Sequence, residues 1–477
     1  MTEKNRKRYE RKHAFRVVCG IVQTLLNTAA FYYVWWNFVR VHNQTGHLLG
    51  RGNLGMAVLI YLGLCLFCFN ALGGFKTGVN RKMNLVASQV VALFLIDFAE
   101  LFISLAITGE FRFFSDFLPR YVLLFLVQAV VNGILASLFT DLYRKIFPPL
   151  HMLEIYGGEH NRVYAKMNLR RDKYDICGFL SCEEPEDVIR AEIQKYDAVL
   201  INDMPDEAEN RILKICFDLD ERVYFIPKIS DIIVKSSEEI NLFDTPLYLC
   251  RNMGMTDTEA AVKRLLDILL SALALVVLSP VLLITAAAIK LNDGGPVFFR
   301  QKRCTFGGEE FSILKFRSMI VDAEKDGRSH PAGEADDRIT KVGHVIRATR
   351  IDELPQLINI LKGDMSIVGP RPERIEHVQQ YTAEIPEFSF RQKVKGGLTG
   401  YAQVYGKYNT TALDKLKLDL TYIMNYSLLL DVQIIFETVK IIFQKESTEG
   451  FSDEQAERIR KFEEEHGLVG AQEKKDE

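Results

Sequence analysis

The chain has 477 residues, too many for one ordinary core, so two or three folded units are expected. Its 59 basic and 62 acidic side chains leave a formal charge of −3, which excludes a global field drawing the molecule to nucleic acid. The 48% hydrophobic content is ordinary on average but is gathered into long runs before Leu150 and after Leu265, the pattern of a membrane protein with large soluble parts. Eight cysteines occur singly, and the closest pair, Cys65 and Cys68, lies in an apolar run with no later ligands, so they read as small core side chains in a reducing compartment.

Four apolar runs, Phe15 to Trp36, Leu54 to Phe75, Leu85 to Ile107 and Tyr121 to Phe139, each approach the roughly 20 residues that span a bilayer core. They predict an α-helical membrane region of four spans over residues 1–145, and the length of the first run and its lack of a small-residue cleavage site argue against a signal peptide. Lys4 to Arg16, Lys76 to Lys82, and Arg144 with Lys145 supply a basic excess that puts those segments and both chain ends on the cytoplasmic side. Asp97 and Glu100 fall on one face of the third span and read as an interior polar patch satisfied by neighbours such as Gln128 or Asn132.

Residues 150–255 change pattern. Short strands at Met152 to Tyr156, Tyr174 to Leu180, Ala198 to Ile201 and Val223 to Ile226 alternate with helices at Glu186 to Lys195 and Asp206 to Leu219, predicting a parallel α/β domain of Rossmann-like type. The first strand is followed by Tyr-Gly-Gly-Glu-His-Asn from Tyr156, without the glycine spacing that admits a pyrophosphate, so the domain is expected to be cofactor-free and structural or regulatory.

A fifth apolar run, from Leu265 to Ile289, is long enough to cross. Pro280, however, has no amide proton for the carbonyl of Val276, so a kink is expected at Ser279-Pro280. With Lys263 and Arg264 before it and Lys290 after it, this helix, 263–290, reads as re-entrant, with both ends at the anionic cytoplasmic surface. Residues 447–477 form a charged tail.

The polar stretch from Asp336 to Glu373 carries the chemistry. Leu354, Leu357, Ile358 and Leu361 recur at helical spacing, and Pro355 fits only the first turn of that helix. Asp352 and Glu353 then stand at its amino end, where amide protons and the dipole favour phosphate, with Arg347, Arg350 and Arg371 near in sequence. Spacing alone leaves two readings open: Asp352 as a helix cap, or the pair as a site for phosphate and a divalent cation.

The ordered motifs K-R-L-L-D from Lys263, Ser279-Pro280, G-P-V-F-F-R-Q-K-R from Gly295, L-K-F-R-S-M from Leu314, D-E-L-P-Q-L from Asp352, S-I-V-G-P-R-P from Ser366 and G-L-T-G-Y-A-Q-V-Y-G from Gly397 resemble the bacterial sugar transferase family, the monotopic phosphoglycosyl transferases. The resemblance covers Lys263 to Lys445, and the preceding spans and α/β insert are similar to the family's large members. It implies a mainly α monotopic catalytic domain over 260–446. That domain would transfer a sugar 1-phosphate from a UDP-sugar to polyprenyl (undecaprenyl) phosphate, releasing UMP and starting exopolysaccharide, capsule or O-antigen synthesis. Asp352 would be the nucleophile and Glu353 its partner, the two holding magnesium or manganese. Arg347 and Arg371 would bind phosphate, and Arg317, Arg338, Thr340, Gln403 and Asp419 would take site or supporting roles, while Ser279 and Pro280 break the membrane helix. The location implied is the bacterial inner membrane, multi-pass, with the catalytic domain cytoplasmic; the partners are the donor, the acceptor lipid and the bilayer, with no nucleic acid and a homodimer left open.

The chain departs from the family in Tyr405 to Leu413, which lacks the tryptophan of many small members. That leaves the sugar undetermined among glucose, galactose and N-acetylated sugars. Two other readings compete: a nucleotide-sugar oxidoreductase or epimerase, which needs the phosphate loop that is missing, and a non-catalytic membrane scaffold or sensor of polysaccharide assembly.

Overall fold

The computed structural model describes residues 3–42, 49–157, 163–168, 170–242, 244–250, 255–321, 323, 336, 338–406 and 410–442. They form two compact units that divide between Ile226 and Pro227. Residues 158–161 of the glycine-containing turn, Asp337, residues 407–409 of the departing stretch and the 447–477 tail lie outside the described residues.

The first unit opens with four long helices, α1 (Glu3–Asn37), α2 (Arg51–Ala71), α3 (Lys82–Thr108) and α4 (Phe114–Ile146), packed in sequence with α4 closing back on α1. Phe31, Trp35, Tyr61, Leu93 and Phe117 fill the interior while Leu59, Phe67, Phe94, Val130 and Leu138 face outward, so the helices are apolar all round, as a bilayer requires. With one helix of the second unit, five of the described helices are long and apolar enough to cross a membrane.

The bundle interior corrects one expectation. Gln128 accepts from the Tyr61 hydroxyl at 3.2 Å and donates to the Asn27 carbonyl, and Asn132 donates to Asn27 Oδ1 at 2.7 Å, so neither amide serves the acidic pair. Asp97 takes only the Tyr61 hydroxyl, at 3.4 Å, and both Glu100 oxygens lack a hydrogen-bond partner among the described residues. The reason is geometric: Asn27 on α1 engages both α4 amides before they can turn toward α3.

Next come β1 (Leu150–Tyr156), α5 (Val163–Asn168), β2 (Tyr174–Ser181), α6 (Glu186–Ile193), β3 (Ala198–Asn202), α7 (Asp206–Asp218) and β4 (Val223–Phe225). The strands form one parallel sheet in the order β2-β1-β3-β4. Both faces are covered, which is why β3 is apolar at successive positions: Leu153, Ile155, Val199 and Ile201 pack on Ile189, Ile193, Ile212 and Ile215, and Met152, Ala198 and Leu200 pack with Tyr164. Gly157 is needed for packing, because a Cβ there would lie 2.6 Å from that of Met204 at the end of β3.

The second unit holds α8 (Ile229–Lys235), the hairpin β5 (Glu238–Leu242) and β6 (Thr245–Leu249), α9 (Asp257–Asp293), and the hairpin β7 (Phe298–Cys304) and β8 (Glu310–Phe316). It continues with α10 (Lys341–Ala348), a 3-10 turn (Ile351–Glu353), α11 (Gln356–Lys362), β9 (Ser366–Val368), α12 (Ile375–Glu384), a 3-10 stretch (Pro386–Lys393), β10 (Gly397–Thr399), α13 (Tyr401–Tyr405), α14 (Ala412–Met424) and α15 (Leu428–Ile442). Val368, Phe388, Leu416, Leu420, Tyr422 and Ile434 make its main core, which Ile232 of α8 joins.

Helix α9 is continuous across Pro280, and Ser279 supplies the reason: its hydroxyl donates to the Val276 carbonyl at 2.8 Å, the group that proline leaves without an amide partner. Both ends of α9 pack on the same unit. Near its start Arg264 donates to the carbonyls of Ile360 and Leu361, and Asp267 accepts from the amide of Ile367 at 3.0 Å; near its end Ile289 is buried with Phe316 and Ile346. Between them Leu273, Val276, Val277, Leu283 and Ile284 stand exposed as a broad apolar face.

Candidate active site

The acidic pair sits in the 3-10 turn between α10 and α11, ahead of Pro355. Arg350 enters that turn in the left-handed region at φ 58°, a conformation that costs a non-glycine residue on the order of 1 kcal/mol. Thr340 caps α10 by accepting from the Gly343 amide at 2.9 Å. A Cβ on Gly343 would lie 1.9 Å from the Ser318 carbonyl oxygen, so only glycine lets α10 approach the end of the β7–β8 hairpin and present Arg347 on its last turn.

Glu353 is held by two cations. Lys315 donates to its Oε1 at 2.8 Å and Arg371 to the same oxygen at 2.7 Å, with a longer 3.5 Å contact from Arg371 to Oε2. Burial would raise the Glu353 carboxyl, but Arg371 and Lys315 overcome it and hold it well below the usual range. Asp352 differs. Its Oδ1 is buried without a hydrogen-bond partner among the described residues, and burial together with the neighbouring Glu353 charge raises its carboxyl against the pull of Lys315, Arg350 and Arg347. The adjacent carboxyls are thus pushed in opposite directions, Glu353 as a clamped charge and Asp352 with one oxygen that has no partner among the described residues. The cap alternative for Asp352 finds no support, since no cap bond to α11 is made from this turn.

Arg371 arrives on a backbone crossing. β9 and β10 pair in parallel, Ser366 opposite Gly397 and Val368 opposite Thr399. A Cβ on Gly369 would lie 2.4 Å from the Lys395 carbonyl oxygen, and one on Gly397 would lie 2.1 Å from the Gly369 nitrogen. The two glycine motifs thus run backbone against backbone and deliver Pro370-Arg371-Pro372 to Glu353. Behind this, buried Arg391 donates to Asp419 Oδ2 at 2.6 Å and to the Arg371 carbonyl at 3.0 Å.

The structure therefore brings Asp352, Glu353 and Arg371 together, with Arg347 close enough to act on the Asp352 charge. Asp419 stands behind the site, 1% exposed, and reaches it only through Arg391. Arg317 donates to Asp293 at the end of α9, where a Cβ on Gly295 would press on its guanidinium. Arg338 grips Asp336 two residues away, at 2.9 Å and 2.6 Å. Gln403, on α13, has its Oε1 buried without a partner among the described residues. Sequence reading missed Lys315 as a site residue. Its signal was phase: on β8 it follows Phe311 and Ile313, which pack on α11, and a lysine on such a face needs a carboxylate.

Comparison with known proteins places these features. The family model described as bacterial sugar transferase matches residues 258–445, the segment that holds α9, the acidic turn and both glycine motifs. A UDP-N-acetylgalactosamine-undecaprenyl-phosphate N-acetylgalactosaminephosphotransferase of Aeromonas hydrophila is 41% identical over 255 residues, 52% of this chain and 59% of that protein. A UDP-glucose:undecaprenyl-phosphate glucose-1-phosphate transferase of Klebsiella pneumoniae is 42% identical over 230 residues, 46% of this chain and 48% of that one. The chain thus spans about half the length of these curated relatives. It covers more of a transferase of the same name from Caulobacter vibrioides, at 45% identity over 183 residues, 37% of this chain and 68% of the relative. Since the matched segment is the one that folds around Asp352 and Glu353, the chain belongs to the bacterial sugar transferase family.

Proposed function

We propose that the chain transfers a sugar 1-phosphate from a UDP-sugar to undecaprenyl phosphate, starting assembly of an exopolysaccharide, capsule or O-antigen. The observation that carries this reading is the unpartnered buried oxygen of Asp352 beside a Glu353 already clamped by Lys315 and Arg371. Asp352 attacks the sugar-bearing phosphorus of the donor. A bond forms from its carboxylate oxygen to phosphorus, the bond to the bridging oxygen breaks, and UMP leaves, so that a phosphosugar remains on Asp352. A phosphate oxygen of the acceptor lipid then attacks the same phosphorus and expels the Asp352 carboxylate, giving the lipid diphosphosugar. Arg371 and Arg347 offer forked donors to the phosphate oxygens, and Lys315 with Glu353 fixes Arg371 at the turn.

The residues fit a hard divalent cation. Asp352 Oδ1 has no partner and Glu353 Oε2 carries only the 3.5 Å contact, so these two oxygens would hold magnesium or manganese. Such an ion supplies charge neutralisation to the approach of one anion to another.

The same reading makes the protein an inner-membrane enzyme with α1–α4 spanning and its catalytic unit on the cytoplasmic face. Support comes from α9, whose two ends, at Arg264 and Ile289, pack on one unit on either side of the exposed apolar stretch. A helix crossing the bilayer would carry those ends to opposite sides. Purified protein assayed with a panel of UDP-sugars and undecaprenyl phosphate tests the function: lipid-linked sugar with release of UMP is expected. Absence of product with every donor leaves the scaffold reading.

A further inference from the structure

The parallel sheet of the first unit carries three side chains of metal-ligand type that the acidic site does not use. His151 on β1 stands directly opposite Asp175 on β2, and its Nδ1 lies 2.9 Å from Asp175 Oδ2. The register of the two strands then breaks. Met152 pairs with Ile176 but Leu153 pairs with Gly178, which leaves Cys177 as an extra residue without a cross-strand partner. Two positions beyond Asp175, Cys177 falls on the same face of β2 and is exposed. It thus departs from the core role expected of the cysteines, which Cys182 and Cys216 of this domain do take. One ligand atom from each of His151, Asp175 and Cys177 lies within 4.8 Å of the other two, the one such group among the described residues. The backbone beneath them is fixed: the Asp197 amide donates to the His151 carbonyl at 2.9 Å, and Ile176, between the two β2 residues, is buried with Met152 and Tyr164. Beyond Cys177, a Cβ on Gly178 would lie 2.2 Å from the Tyr196 hydroxyl oxygen, so glycine lets that side chain close over the strand.

The donor set decides the occupant. A thiolate, an imidazole and a carboxylate together select a borderline divalent cation over magnesium or calcium, which take oxygen ligands. Zinc binds such donors tetrahedrally at about 2.0–2.3 Å, which sets neighbouring donors about 3.5 Å apart. Three exposed or half-exposed side chains already gathered within 4.8 Å need only small rotations to reach that spacing. We infer that His151, Asp175 and Cys177 form a zinc site with water in the fourth position, pinning the bulged edge strand β2 to β1. The thiol gives its proton to solvent as the sulfur–zinc bond forms, and the thiolate and carboxylate balance the charge of the ion. The site belongs to the α/β domain and does not rest on the transfer reading.

Full-length protein in detergent, stripped of metal by a chelator and kept reduced, tests this with cobalt(II), zinc and magnesium as separate probes. Cobalt should bring up the thiolate-to-metal charge-transfer band of a cysteine ligand, and zinc should displace it and remove the band. Cys177→Ser should abolish that band, whereas Cys250→Ser, at the other exposed cysteine of the described residues, should leave it. Zinc, but not magnesium, should protect Cys177 from alkylation, read by peptide mass mapping. His151→Ala and Asp175→Asn should each weaken zinc binding roughly ten-fold or more in competition with a chromophoric chelator. His151→Ala should also restore alkylation of Cys177, which is still present in that variant. Without metal, the melting temperature of each variant should stay within a few degrees of the parent's, since none of the three side chains is buried. A charge-transfer band that survives Cys177→Ser would overturn the inference. So would equal alkylation of Cys177 with and without zinc, or zinc affinity unchanged in both the histidine and the aspartate variant; each result would leave only an ion pair beside a free thiol.

Discussion

Lys315 and Glu353 form a buried ion pair at 2.8 Å, and Asp352, the next residue back along the chain, has an oxygen with no hydrogen-bond partner among the described residues. That asymmetry yields the first prediction. Asp352→Asn keeps the shape of the side chain but removes its nucleophilic charge, so lipid-linked product and labelled protein should both fall by at least about a thousand-fold with the melting temperature little changed. Turnover within ten-fold of the parent would take the nucleophile role away from Asp352.

Protonation gives the second. Burial and the Glu353 charge raise the Asp352 carboxyl, so the attacking carboxylate is lost as pH falls through a value above the usual aspartate range. The rate of protein labelling by donor should rise with pH across that limb. Lys315→Met removes a cation that lowers Asp352, and should move the limb upward. Glu353 has the opposite sign: its depressed carboxyl stabilises the fold above the unfolded value and ceases to do so as pH falls through the folded one. An acid limb that Lys315→Met leaves in place would show that the lysine does not act on Asp352.

Gly343 makes a sharper structural test than the charged residues. Its missing Cβ would lie 1.9 Å from a backbone oxygen of Ser318, which cannot swing away as a side chain can. Gly343→Ala should therefore push α10 off the hairpin and displace Arg347, raising the donor KM several-fold or more and lowering the melting temperature. Unchanged values for both would mean that the approach of α10 is not needed.

Arg391 and Asp419 support the site from inside. Their ion pair is 5% and 1% exposed, and Arg391 also carries the Arg371 carbonyl. Arg391→Met leaves Asp419 charged and alone, at a cost of about 3–5 kcal/mol. Thermal unfolding should show a large drop, and Arg391→Met with Asp419→Leu should recover much of it. Full stability of the single variant would remove the positioning role.

The sequence made the elements legible where one rule dominated. The four apolar runs became α1–α4 and the alternating strands became one parallel sheet, because length and period alone decide those cases. The place of Asp352 and Glu353 ahead of α11 was legible from Pro355 and the leucine spacing that follow them, whereas their roles came only from the family resemblance. What stayed hidden was partnership across the chain. Lys315 lies 38 residues from Glu353, and Arg391 lies 28 from Asp419, so no local pattern joins them. The same limit explains the bundle: spacing put Asp97 and Glu100 on one face but could not show that Asn27 would engage the amides of Gln128 and Asn132.

Topology supplies the last prediction. Arg264 and Ile289 mark the two ends of the apolar part of α9, and both are buried or bonded within one unit, the first on α11 and the second on β8 and α10. If α9 stays in one leaflet, residues before and after it lie on the same side of the membrane. Thr258, exposed in the first turn, and Lys302, exposed on β7 after the helix, report those two positions. In a background without native cysteines, Thr258→Cys and Lys302→Cys should both resist a membrane-impermeant thiol reagent added to intact cells, and both should react once the membrane is opened. Labelling of Lys302→Cys alone in intact cells would mean that α9 crosses. The catalytic unit would then be separated from cytoplasmic UDP-sugar, and the proposed reaction would have no donor.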